Sequence, residues 1–368
     1  MQIRFVLPLI LVAGCAGLEK PSVQHRTTAQ TPPASLSATP TAIQEGQSPT
    51  LTWRTTNAND VTIDGTGIVP PNGPRHVPSG SPPSYLAAER EDGTQEAMAQ
   101  VSGNAPTSPA HVILIIEENR SFSTVYPYGM PWLSALGDAY GIATNYFSDE
   151  PGSMLDYLWL SSGSGEHAFG CGGWGCSNII TSDNIFRELD KSGMSWKVYA
   201  DSLPYVGYMG TQSGEYVKRH NPAPWYSNVA YHPAKQKNMV PFTQFAKDLA
   251  AQHLPDYSLI VPNLLHDAHD GTVAMADRWL KQYISPVLSS PYFTLGGNGV
   301  MFITFDNGDS DKQGQVFTAV IGADVIHGVK VNTAFRHENA LRTIMELLGL
   351  KHYPGASRTA APMREFFK

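Results

Sequence analysis

The chain has 368 residues and a formal net charge of -7, from 25 lysines and arginines against 32 acids. That length suffices for two domains, one of them with a sizeable core. The basic residues are scattered singly, so the sequence offers no stripe to a nucleic-acid backbone, and the composition is that of a folded body.

At the amino end Arg4 precedes the apolar run FVLPLILVAG, which is too short for a stable membrane span and ends in small residues before Cys15. Residues 1–15 are therefore expected to be an export signal. LVAGC resembles the bacterial lipoprotein box, with Val12 where leucine is commoner. The resemblance implies lipidation of Cys15, membrane contact through an N-terminal lipid anchor, and a place in the bacterial cell envelope, at the outer membrane or facing the periplasm. An ordinary cleaved signal is the alternative. Residues 16–33 are mostly Thr, Pro, Gln, Ser and Ala, which bury little and predict a flexible tether.

SPTLTWRTTNANDVTIDG alternates Leu51 with Trp53 and Val61 with Ile63 around the turn-rich TTNAND, which reads as strand, turn, strand. Tyr85 to Ala87 and Met98 to Val101 supply later strands. Residues 34–103 resemble the small bacterial immunoglobulin-like modules, which implies an all-β sandwich held by its core alone, since it has no cysteine pair. The Pro and small-residue segment 104–110 is a linker.

From His111 to the end, strand and helix patterns alternate. VILII (Val112 to Ile116), KVYA, YSLIV, VMFITF and VFTAVI are short β-branched and aromatic runs, several apolar on both faces as covered strands should be. SMLDYLWLSSG, NIFRELDKSG, TVAMADRWLKQYI and HENALRTIMELLG read as helices, with Gly193 and Gly349 as stops. The expected fold is α/β: a parallel-type sheet with helices on both faces. In an oxidising compartment, Cys171 and Cys176 of CGGWGC predict a local disulfide. A zinc site would need further thiols or a close histidine pair, and only His167 is near.

In open α/β sheets, ligands gather beyond the carboxyl ends of the strands. Three predicted strand ends are polar: Glu118 and Asn119 follow VILII, NLLHDAHDG follows YSLIV, and Asp306 and Asn307 follow VMFITF. Any one of them is an ordinary loop or helix cap. Together they point to a site. Oxygens from Glu118, Asn119, Asp306 and Asn307 suit a divalent cation. Asn263, His266, Asp267, His269 and Asp270 offer further ligands or proton donors. His337 opens the last helix, either at the same rim or as a surface residue. Ser153, after Pro151 and Gly152 at the head of an apolar helix, is a candidate nucleophile where the helix dipole favours a phosphate oxyanion; a plain capping serine is the alternative, and Ser161 and Ser162 are the fallback. The Tyr, Trp and Pro-rich segment 202–241 reads as a lid or wall, or as an aromatic surface packed on the sheet.

HVILIIEENRSFSTVYP, PGSMLDYLWLSSG, DYSLIVPNLLHDAHDG, VMFITFDNGD and FRHENALRTIMELLGL resemble, in order, successive motifs of the phosphoesterase family that includes acid phosphatases and phospholipases C, within the alkaline phosphatase superfamily. The match runs from about His111 to Leu350. It implies that Glu118, Asn119 and Asp306 hold a divalent metal ion and that Ser153 forms a phosphoseryl intermediate. Asp267, His269 and His337 would line the phosphate or leaving-group side. The implied substrate is a small phosphate ester or a phospholipid, and the implied activity an acid phosphatase, with a phospholipase C-type phosphodiesterase as the variant. Two departures stand out: Asn307 lies where the family's FDEG has glutamate, and PGSMLDY replaces HPSLPNY, exchanging asparagine for Asp156. The first leaves room for a degenerate, non-catalytic surface binding protein. Nothing in the sequence fixes an oligomeric state.

Overall fold

The computed structural model describes strands between residues 34 and 103, and residues 111–368 apart from 295 and 309–313. The predicted signal with Cys15, the tether 16–33 and the linker 104–110 lie outside the described residues. In the amino-terminal part Ala34–Thr39, Thr50–Thr55 and Asn72–His76 pair antiparallel. A second antiparallel sheet contains Gly67–Ile68, Asp60–Ile63, Ser84–Arg90 and Gly93–Ala99. Trp53 is buried, and the Gly73 backbone runs so close to its indole that an added Cβ would lie 3.3 Å from the ring.

The remainder is built on an eight-stranded sheet. Its strands in chain order are β1 (His111–Glu117), β2 (Gly141–Ala143), β3 (Trp196–Ala200), β4 (Met239–Pro241), β5 (Tyr257–Val261), β6 (Gly299–Phe305), β7 (Thr318–Gly322) and β8 (Val329–Val331). Their spatial order is β4-β3-β5-β1-β6-β7-β2-β8. The sheet is mixed: β7 runs antiparallel to both β6 and β2, and every other pairing is parallel. The parallel-type expectation fails at that strand, because VFTAVI is apolar on both faces whichever way it runs.

All positions of β5, β6 and β7 are buried, so both faces of the sheet are covered, as their unbroken apolar runs require. The covering helices include α1 (Pro131–Ala139), α2 (Ser153–Ser162), α3 (Ile185–Lys191), α4 (Thr243–Ala250), α5 (Val273–Leu288) and α6 (His337–Leu347). α1 packs on α5, and α2 on α6. The first pairing is tied electrostatically: buried Asp277 of α5 accepts the Trp132 and Leu133 N–H groups, which the first turn of α1 leaves without intrahelical partners. Among the described residues no helix is long and apolar enough to cross a membrane.

β1 and β6 are parallel neighbours in register from His111 opposite Gly299 to Glu117 opposite Phe305. Their carboxyl ends therefore stop side by side. β5 flanks β1 on the other edge. This topology gathers at one rim the three polar strand ends that the sequence scatters over nearly 200 positions.

Candidate active site

The rim is held together by backbone bonds before any side chain takes part. Asp306 N–H donates to the Glu117 carbonyl at 2.9 Å, and Glu118 N–H to the Asp267 carbonyl at 2.7 Å. Asn119 turns the chain with φ +50°, a region asparagine tolerates better than most residues, and its N–H donates to Asp306 Oδ1 at 2.8 Å. Glu118, Asp267 and Asp306 are each 0% exposed.

Ser153 is the first residue of α2, and its Oγ donates to Glu118 Oε2 at 2.8 Å. The helix start is set by Gly152, at φ +112°, against the hairpin Cys171–Cys176; a Cβ on Gly152 would lie 2.8 Å from Gly173 Cα. A disulfide joins Cys171 to Cys176, and Gly173 carbonyl accepts Met154 N–H. The hairpin thus seats the serine against the rim. Ser161 and Ser162 are spent inside α2, donating to the Tyr157 and Leu158 carbonyls.

Glu118 is the pivot. Its Oε2 also accepts Asn119 Nδ2 at 3.1 Å, while Oε1 faces His220 Nε2 at 3.1 Å. That second contact is close but off the line a hydrogen bond needs, so Glu118 Oε1 and His220 Nε2 both remain buried and unpaired. His220 Nδ1 bonds Asp267 Oδ2 at 3.1 Å; with its hydrogen there, the Nε2 lone pair is free. The imidazole stacks flat on Tyr157, 6° between planes, and lies 5.6 Å from His269. One ligand atom each from Glu118, His220 and His269 lie within 4.8 Å of one another. Two orphaned lone pairs side by side, one backed by a carboxylate, are what a metal ion's ligands look like.

Electrostatics agree. Burial, with Asp306 and Asp267 nearby, holds the Glu118 carboxyl well above the usual carboxylate range. Burial pushes Asp306 up to about 6, against the pull of the Asn119 and Asn307 N–H groups. Burial also raises Asp267 and depresses His220. A cluster of carboxylates that cannot comfortably ionise, facing a neutral imidazole, is a site short of positive charge.

The other predicted residues divide. Asn307 donates from Nδ2 to Asp306 Oδ2 at 2.8 Å, inside the cluster. His269 stands at the mouth, its Nδ1 against Asp270 Oδ1 at 2.7 Å, with Asp270 mostly exposed. His266 turns away, pairing with Asp201 at 2.7 Å and stacking on Trp279 beside an apolar cavity of about 460 Å³. Asn263 shapes the loop, its Oδ1 accepting the Leu265 and His266 N–H groups. His337 lies behind the rim, fully buried: Nε2 donates to the Asp306 carbonyl at 2.6 Å and Nδ1 meets Tyr146 Oη at 3.1 Å. Burial pushes its pKa down to about 4. With both nitrogens engaged here, His337 braces Asp306. With Asp149 and Asp156 it also makes a second group of possible metal ligands, their ligand atoms within 4.8 Å of one another.

A family model described as the phosphoesterase family matches residues 126–351. The chain belongs to the phosphoesterase family. It is a phosphoric ester hydrolase. A phosphatidylinositol-3-phosphatase of Mycobacterium tuberculosis is 30% identical over 275 residues, 74% of this chain and 88% of that one. An acid phosphatase of Aspergillus fumigatus is 25% identical over 289 residues, 73% of this chain and 63% of that one. A Vibrio parahaemolyticus protein of the alkaline phosphatase superfamily superposes with a TM-score of 0.51 at 11% identity, over 71% of this chain and 72% of that one, which bears on the fold alone. Within this phosphoesterase, His220 is the residue that sequence reasoning missed. Its only signal was the basic triplet KRH, polar and unexplained inside an aromatic segment.

Proposed function

We propose that the chain hydrolyses phosphomonoesters, as an acid phosphatase does, through a phosphoseryl intermediate on Ser153 and with a divalent cation. The observation that carries this reading is the Ser153 hydroxyl donating to Glu118 at 2.8 Å inside a buried carboxylate cluster. The cation would be held by Glu118, Asp306 and the side-chain oxygens of Asn119 and Asn307, with His220 across Glu118 and His269 left free for proton transfer. When bound, such an ion offsets the carboxylates, lowers the pKa of the serine and draws charge from the phosphoryl oxygens.

Ser153 Oγ gives its proton to the Glu118 carboxylate and attacks phosphorus as the ester P–O bond breaks. The leaving alcohol takes a proton from His269, whose other nitrogen is held by Asp270. Water then attacks the phosphoserine, returning a proton to His269, and Ser153 recovers its own from Glu118. Inorganic phosphate leaves. The names of the relatives, acid phosphatase and phosphatidylinositol-3-phosphatase, favour the monoester over a phospholipase C-type diester. The Arg4 to Cys15 segment supports export and anchoring in the cell envelope, and the alternation at residues 34–103 supports an immunoglobulin-like spacer.

The test is turnover of p-nitrophenyl phosphate by the purified chain, with and without chelator, beside Ser153→Ala. Loss of turnover in both, and acid-trapped phosphate on Ser153 of the parent, is the expected result. A Ser153→Ala protein as fast as the parent sinks the nucleophile.

A further inference from the structure

Arg219 lies between two residues whose roles are plain. Lys218 is buried with its ammonium 4.0 Å over the Trp225 ring, and His220 bonds Asp267 and faces Glu118. Arg219 is half-buried, and its guanidinium lies over the ring of Trp174, 4.9 Å from its centroid. Among the described residues no hydrogen-bond or ion-pair partner meets its five N–H donors.

That is an odd place for an unpaired arginine, because the next residue, His220, reaches into the site's three buried carboxylates, bonding Asp267 and facing Glu118. Its charge is felt at Asp267 and His220. Yet each carboxylate already has its own partners: Glu118 has Ser153 and Asn119, Asp306 has Asn119 and Asn307, and Asp267 has His220 and His269. The Arg219 nitrogens are not among the buried unpaired atoms, so water fills them, and a ligand with paired acceptors can take that water's place.

Trp174 determines where the fork sits. It is 81% exposed at the tip of the disulfide hairpin that abuts Gly152, one residue before Ser153. The hairpin therefore carries its indole, and the guanidinium stacked on it, to the start of the helix that bears the nucleophile.

We propose that Arg219 grips the non-bridging oxygens of the substrate phosphoryl group, positioned by Trp174, and so selects a doubly charged phosphomonoester over a singly charged diester. This rests on the reading of Ser153 as nucleophile. The planar fork matches two phosphoryl oxygens at once, whereas an ammonium does not. A monoester presents more charge on those oxygens than a diester, so the same contact gains more from it.

The experiment compares p-nitrophenyl phosphate with bis-p-nitrophenyl phosphate, and inhibition by inorganic phosphate, in the parent, Arg219→Ala, Arg219→Lys and Trp174→Ala. Arg219→Ala should lose roughly 100-fold in kcat/KM on the monoester, the scale of one preorganised donor, and only a few-fold on the diester. Phosphate inhibition should weaken by at least about 10-fold, the effect of about 1.4 kcal/mol of lost binding. Arg219→Lys should fall between. Added guanidinium ion should restore part of the Arg219→Ala loss, which it could not do for a merely structural arginine. Trp174→Ala should raise KM for the monoester with kcat little changed. An equal loss on both esters, or an unchanged inhibition constant for phosphate, overturns the proposal. Calorimetry with inorganic phosphate keeps the two readings apart: weaker binding in Arg219→Ala upholds the role of Arg219 even if Ser153 fails as nucleophile, and unchanged binding sinks it even if Ser153 stands.

Discussion

Replacing Glu118 by glutamine should make the metal-free protein more stable and the enzyme nearly inactive. Glu118 is fully buried beside Asp306 and Asp267, and burial raises the pKa of all three. Even Asp306, pushed from 3.8 up to about 6, resists ionisation by on the order of 3 kcal/mol at 1.36 kcal/mol per pKa unit. Removing the Glu118 carboxylate relieves the apo state of its desolvation and of its repulsion by Asp306 and Asp267, while glutamine keeps an oxygen for the Ser153 hydroxyl. The sign follows from linkage: a folded pKa raised above the unfolded one gives stability that is complete below the unfolded value and lost as pH rises through the folded one. The parent in chelator should therefore lose stability from about pH 4 upward, with a shallower slope in Glu118→Gln. With 1 kcal/mol worth about 2–4 °C in a domain of this size, the variant should melt at least about 2 °C higher at pH 8 in chelator. Added Mg²⁺, Mn²⁺, Ca²⁺ or Zn²⁺ should raise the parent's midpoint and leave the variant's alone. Turnover of p-nitrophenyl phosphate should fall by at least about 100-fold. A variant that melts lower than the parent in chelator, or keeps the parent's pH slope, would show that these carboxylates are not in conflict and that the cation argument has no basis.

Three further outcomes are expected. Asp267→Asn unbacks His220 while preserving shape, so cation affinity measured by calorimetry should drop about 10 to 100-fold with the fold intact by circular dichroism. Asp149→Asn should stabilise the apo protein at pH 8 by about 1–3 kcal/mol in urea titrations and have no effect near pH 4, because burial and Glu338 push the Asp149 carboxyl up to about 8. Cys171→Ser with Cys176→Ser opens a short loop and should cost about 2 kcal/mol. It should also raise KM for the monoester, since the hairpin carries Trp174 and abuts Gly152.

The strands legible in the sequence were those with enough residues to show a pattern. VILII and VMFITF are apolar on both faces, and the polar residues directly behind them marked the rim. The direction of β7 was not legible, because burial on both faces carries no sense of direction. Strands of three residues, such as β2, β4 and β8, are too short to show a period. Within NLLHDAHDG the sequence supplied the right residue types but could not sort them. The Asn263 side-chain turn and the positive φ of Ala268, +71°, send Asp267 and His269 towards Glu118 and leave His266 on Trp279. His337 read as a rim or surface residue; the Asp306 carbonyl and the Tyr146 hydroxyl draw it wholly inside. Within the segment 202–241, Tyr216 and Tyr226 are buried while Tyr205 and Tyr231 face solvent, and the basic triplet between them brings His220 to Asp267.

The two departures from the family motifs are connected through Asp306. Asn307 gives Asp306 Oδ2 a donated hydrogen where the glutamate of FDEG would give it a second negative charge. Asp156, in the place of an asparagine, puts a carboxylate on the buried side, its Oδ1 held by the Asp149 and Glu150 N–H groups and 3.5 Å from the His337 nitrogen that braces the Asp306 carbonyl. The acid count around Asp306 is thus kept, with one carboxylate moved from the open face to the interior. Burial and the Asp306 charge raise the Asp156 pKa, so without a cation its proton stays on as pH rises past the ordinary carboxylate range. A cation beside Asp306 favours the ionised form of Asp156 as well, although Asp156 is not a ligand. Binding should then release more protons than the ligating carboxylates alone hold, and log affinity should climb more steeply with pH above the ordinary carboxylate range than ligand deprotonation accounts for. Calorimetry in buffers of different ionisation heat reads the proton count directly. Asp156→Asn should lower that count and flatten the slope; an unchanged count would mean that the two departures are unrelated.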